Sequence, residues 1–60
     1  MISSRRVLIV DESADSREVL RTLLEARGAT TVEAHRPSQA VQLAELFQPD
    51  LIVLDAESDH

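Results

Sequence analysis

The run Val7-Leu8-Ile9-Val10, closed at once by Asp11 and Glu12, constrains this chain more than any other stretch. Consecutive apolar residues rich in β-branched side chains suit a strand covered on both faces, the situation of a strand inside a parallel sheet. Such a strand delivers the acids that follow it to the carboxyl rim of the sheet, where open α/β folds hold their ligands. The design recurs at Leu51-Ile52-Val53-Leu54-Asp55. If the two strands lie parallel and side by side, Asp11, Glu12 and Asp55 converge on one rim.

Helical spacing begins after Glu12. Val19, Leu20, Leu23 and Leu24 form one apolar stripe, while Arg17, Glu18, Arg21, Thr22 and Glu25 fall away from it. Ser13 or Asp15 caps the start, and Gly28 supplies a left-handed stop. Thr30, Thr31 and Val32 favour a short strand whose polar content suits an edge. Pro37 opens a second helix with Ala40, Val41, Ala44 and Phe47 on its apolar face, widened by Leu43 and Leu46. Pro49 ends it, because the residue before a proline is pushed out of the α region. The expectation is one domain over residues 1–60: strand 5–11, helix 14–27, strand 29–34, helix 37–47 and strand 50–55. Two right-handed crossovers place the strands in the parallel order 2-1-3, with one helix on each face.

Composition narrows the function. Six basic residues against eleven acidic ones give a net charge of −5, which suits cations or basic surfaces and not a phosphate backbone. Phe47 is the only aromatic residue, so stacked bases have no platform, and no nucleic-acid contact is expected of this segment. The apolar run after Arg5 and Arg6 is too short for a signal-peptide core or a membrane span, and those two arginines read as a solvated flank. With no cysteine in the sequence, the expected location is the cytoplasm. The turn after the first strand reads Asp-Glu-Ser-Ala-Asp, without the glycines of a dinucleotide fingerprint. His35 and His60 stand isolated and read as exposed side chains, without the partner spacing of a zinc site.

The Asp-Glu pair closing the first strand, the Pro49-Asp50-Leu51-Ile52-Val53-Leu54-Asp55 run and the intervening helix pattern together resemble the first half of a response-regulator receiver domain. That is the phosphoacceptor module of two-component signalling, with a doubly wound, flavodoxin-like α/β fold. The resemblance covers roughly residues 5–57 and implies the N-terminal βαβαβ half of the fold. It further implies Asp55 as phosphoacceptor nucleophile. Magnesium would be held by Asp11, Glu12, Asp55 and the backbone carbonyl of Glu57. A histidine kinase is the implied partner in the full-length context. The family's second half carries a hydroxyl residue and a lysine that complete the switch, and this sequence contains no lysine. The chain is therefore expected to be a phosphoacceptor half, not an enzyme and not a working switch alone.

The chemistry stands beside the resemblance. A carboxylate attacks phosphorus to form an acyl phosphate, and its obstacle is the charge of the incoming group. Magnesium prefers hard oxygen ligands and neutralises charge on the transferring oxygens. The last strand, Leu51 to Leu54, reads as internal yet has no later strand beside it, so a homodimer is expected to complete the fold. It would form through that edge or by exchange of an element. The alternative is a non-catalytic homodimeric half-domain whose acids are inherited and unused.

Overall fold

The computed structural model describes residues 5–54. In order they form β1 (Arg6–Val10), α1 (Ala14–Ala26), β2 (Thr30–Ala34), α2 (Pro37–Phe47) and β3 (Leu51–Leu54). The three strands make one parallel sheet in the order β2-β1-β3, the order expected from the sequence. Val7 lies opposite Thr31 on one side and Leu51 on the other, and Val10 opposite Ala34 and Leu54.

The central position of β1 explains its composition. Val7, Leu8 and Ile9 are almost wholly buried, and alternate residues serve different layers. Val7 and Ile9 pack with Ala29 under Leu20 and Leu24 of α1, whereas Leu8 and Val10 pack with Ala34 under Ala40, Leu43 and Ala44 of α2. The helices thus lie on opposite faces of the sheet. Each fully buried aliphatic side chain contributes about 1.5–3 kcal/mol.

The helix ends follow their local sequence. The Ser13 hydroxyl accepts from the Ser16 N–H at 3.3 Å, so Ser13, rather than Asp15, caps α1. At the other end the Gly28 N–H donates to Glu25 and the Ala29 N–H to Leu24, while Gly28 takes a φ of 94°. This paired closure needs a left-handed residue, which glycine provides without a Cβ clash. Ala29, just beyond it, packs back against Leu24. Pro37 occupies the first turn of α2. Ahead of Pro49, Gln48 leaves the right-handed helical region for the left-handed one (φ 52°), and its N–H still reaches the Ala44 carbonyl at 2.9 Å.

The apolar faces differ from the expected stripes. Leu20 and Leu24 of α1 face the sheet, but Val19 and Leu23 are half or more exposed. The helix is turned so that Arg17 and Arg21 border the buried face on the β2 side, which leaves the Val19–Leu23 flank on the side away from β2. On α2 the packed set is Ala40, Leu43 and Ala44, and Val41 and Leu46 are exposed. Val19, Leu23 and Val41 each adjoin a packed residue and are rotated from it by about 100°, on the side away from the contact.

Arg6 is no mere solvated flank. Its Nε donates to the Phe47 carbonyl at 2.9 Å, and its guanidinium lies 4.7 Å from the Phe47 ring centroid. Its N–H donates to the Asp50 carboxylate, and the Asp50 N–H returns a bond to the Arg6 carbonyl. One residue therefore ties the start of β1 to the end of α2 and the start of β3. The cation–π contact alone contributes about 0.5–1 kcal/mol at an exposed site.

Both helices lie over β1 and β2. β3 joins the fold through β1 alone, and Leu51, Ile52 and Leu54 are about half exposed.

A candidate acidic site at the carboxyl rim

The rim is built from the end of β1. Although β1 stops at Val10, the Asp11 N–H continues the ladder to the Ala34 carbonyl at 3.0 Å. That bond fixes the Asp11 backbone beside the end of β2. The side chain is buried, at 5% exposure, and its Oδ1 accepts from the Ser13 N–H at 2.9 Å. Among the described residues this is the one hydrogen bond on the carboxylate. Glu12, the next residue, is exposed. One acid is held and its neighbour projects toward solvent.

Ser13 serves both structures at once: its hydroxyl caps α1 while its N–H holds Asp11. The loop is secured further by Arg17, whose Nη1 donates to the Asp11 carbonyl at 2.7 Å and whose Nε pairs with Glu33 Oε1 at 3.1 Å. Arg21 Nε lies 3.6 Å from the other Glu33 oxygen. Arg17 and Arg21 fell outside the apolar stripe in the sequence. Their role depends on Glu33, the next-to-last residue of β2, which reaches α1 only once the sheet has formed.

The donors suit a hard divalent ion. Magnesium is ordinarily held by one or two protein carboxylates and keeps several waters, and a buried carboxylate with one oxygen unengaged by the described residues is a fitting donor. Among the described residues no group of three or more candidate ligands converges, so Asp11 and Glu12 stand there as a pair. Asp55 and Glu57, the other two residues of the expected set, lie outside the described residues, as does His60. His35 is exposed at the end of β2, its N–H donating to the Gln39 side chain.

A buried acid at the end of the central parallel strand is the arrangement expected of the resembled family, and comparison with known proteins decides the matter. Residues 7–57 match the family described as "Response regulator receiver domain". The chain belongs to this family. The receiver-domain chain is 43% identical over 54 residues to a protein named transcriptional regulatory protein PdtaR of Mycobacterium tuberculosis, covering 88% of this chain and 26% of that one. It is 35% identical over 52 residues to chemotaxis protein CheY of Halobacterium salinarum, covering 87% of this chain and 43% of that one. A 14.6 kDa protein of Leptolyngbya boryana is 39% identical over 49 residues, with 37% of its length covered. The receiver-domain chain thus spans between a quarter and less than half of these relatives. No solved structure matches it significantly.

Proposed function

We propose that this receiver-domain chain accepts a phosphoryl group on Asp55 beside a magnesium ion held by Asp11, Glu12, Asp55 and the backbone carbonyl of Glu57. The observation that carries the reading is the buried Asp11, held by the Ser13 N–H at the end of a strand whose last residue, Val10, pairs in parallel with Leu54. The reading extends that register by one residue, to Asp11 and Asp55. A carboxylate oxygen of Asp55 attacks phosphorus. The new P–O bond forms as the bond from phosphorus to the donor breaks, and the donor leaves with the electron pair. Magnesium, when bound, neutralises charge on the phosphoryl oxygens. Asp11 supplies a preset anionic ligand, and Glu12 a solvent-facing one that adjusts to the incoming group.

The proposed donor in the cell is the phosphohistidine of a histidine kinase, and the proposed location is the cytoplasm. Among the described residues no helix is long and apolar enough to cross a membrane. The reading assigns this segment no nucleic-acid contact, in keeping with its net charge of −5. Each transfer consumes one acceptor, so the proposed role is that of a stoichiometric phosphoacceptor and not of an enzyme. A working switch is not proposed for the chain alone, because the lysine that the family resemblance calls for is absent from the sequence.

A magnesium titration followed by amide chemical shifts tests the site. Saturable shifts are expected at Glu12 and Ser13, and Asp11→Asn should weaken binding at least about tenfold through loss of one anionic ligand. Titration of Asp11→Asn with an affinity equal to wild type would refute the site.

The exposed β3 favours a second reading as well. Among the described residues its outer edge is unpaired, and Leu51, Ile52 and Leu54 are 53%, 49% and 62% exposed. We propose a two-fold homodimer, by antiparallel pairing of β3 with its copy or by exchange of an element. In the non-catalytic version the dimer is the main property and the acids are unused. Light scattering after size exclusion should give twice the 6.7 kDa chain mass at micromolar concentration. Monomer throughout that range would remove the dimer, and a dimer with no magnesium response would favour the non-catalytic version.

A further inference from the structure

Arg17 brings a full positive charge to the acidic loop, yet that charge is turned away from the acids. Its Nη1 is spent on the backbone carbonyl of Asp11 at 2.7 Å, and its Nε on Glu33 at 3.1 Å. The Arg17 side chain as a whole is 17% exposed, which limits the water around its bonds. Glu33 also faces Arg21, whose Nε is buried and makes no hydrogen bond, so one carboxylate serves two guanidinium groups. An unrestrained arginine beside two carboxylates takes them as partners, because a forked, charge-assisted pair is stronger than a bond to a neutral carbonyl. The Asp11 carboxylate belongs to the very residue whose carbonyl Arg17 already touches.

We infer that Glu33 is a positioning residue for the acidic site, acting through Arg17: it holds the guanidinium on the Asp11 carbonyl and off the Asp11 and Glu12 carboxylates, keeping them free for a divalent cation. The inference rests on the proposed magnesium site. It adds that site access depends on a residue of the neighbouring strand that is not itself a ligand. Removing Glu33 releases Arg17 to compete with the ion. Removing Arg17 as well removes the competitor. A purely structural contribution of Glu33 would behave differently, since its loss would weaken binding whether or not Arg17 were present.

The test is a double-mutant cycle on the full chain, read as the magnesium dissociation constant from the Glu12 and Ser13 amide shifts at physiological salt, where distant charge effects are screened. Glu33→Gln keeps the side-chain volume, and Arg17→Met keeps the aliphatic stem. Dispersed amide spectra for each variant establish folding before the ion is added. Glu33→Gln is expected to weaken magnesium about tenfold, within the range for residues that orient ligands without touching the metal. In the Arg17→Met background the same substitution should change affinity less than about twofold, the near-zero result expected when the partner is gone. An equal loss in both backgrounds, or no loss in either, overturns the role of Glu33 while leaving the site intact. A wild-type chain without saturable shifts overturns the site and this inference with it. A Glu33→Gln spectrum that has lost dispersion assigns Glu33 to the fold and overturns the inference too.

Discussion

Asp55→Asn is expected to reduce phosphoryl labelling of the chain to background. The substitution keeps the size and shape of the side chain and replaces an anionic oxygen nucleophile by a neutral carboxamide, which attacks phosphorus far more weakly. The measurement is intact-mass spectrometry after incubation with magnesium and a small acyl phosphate donor, looking for the mass of one added phosphoryl group. Wild type should acquire one such group and Asp55→Asn none. Chelation of the magnesium should suppress labelling of wild type, since charge on the incoming group is then no longer offset. Equal labelling of both proteins would place the nucleophile elsewhere among the acids. Absence of labelling in wild type would favour the non-catalytic reading.

Leu8→Ala is expected to remove a large share of the chain's stability at room temperature. Leu8 is fully buried on the central strand, where it packs with Val10 and Ala34 beneath α2. Truncating a buried leucine costs about 2–5 kcal/mol. At about 0.05–0.15 kcal/mol per residue, the total for a chain of 60 residues is only about 3–9 kcal/mol. The loss is therefore roughly half of the stability at the middle of both ranges. Urea denaturation followed by far-ultraviolet circular dichroism should show the folded baseline shortened or missing. Leu46→Ala, on a side chain 82% exposed, should leave the midpoint nearly unchanged. A Leu8→Ala midpoint equal to wild type would contradict the packing.

The parts of this fold that could be read from the sequence are those governed by neighbours along the chain. The β1 run announced a strand buried on both faces, and Pro37, Pro49 and Gly28 marked helix limits that depend on local backbone geometry. The strand order followed from the handedness of the crossovers. What escaped was set by distant partners. Val19, Leu23, Val41 and Leu46 fit an apolar periodicity, but each helix presents only a narrow strip to β1 and β2, and periodicity does not say where that strip is centred. Arg6 looked like a flank because its partners Phe47 and Asp50 lie more than forty residues away. Arg17 fell outside the apolar stripe, and its partner Glu33 stands on another element, sixteen residues along the chain. Of the candidate site, Asp11 and Glu12 were legible as the abrupt end of an apolar run. The bond from Ser13 to Asp11 was not, because it requires the loop conformation that the cap of α1 imposes.

The lopsided placement of both helices over β1 and β2 makes the domain thermodynamically uneven. Lifting β3 away breaks one ladder, to β1, and withdraws Val53 from the core while both helices keep their contacts with β1 and β2, so that local opening costs a fraction of the global free energy. The segment leading to residue 55 is then the softest part of the sheet. Whatever binds at its margin or at the rim selects the closed form by mass action, and a ligand at a hundred times its dissociation constant adds about 2.7 kcal/mol. In a chain of such modest stability, occupancy and order become the same variable.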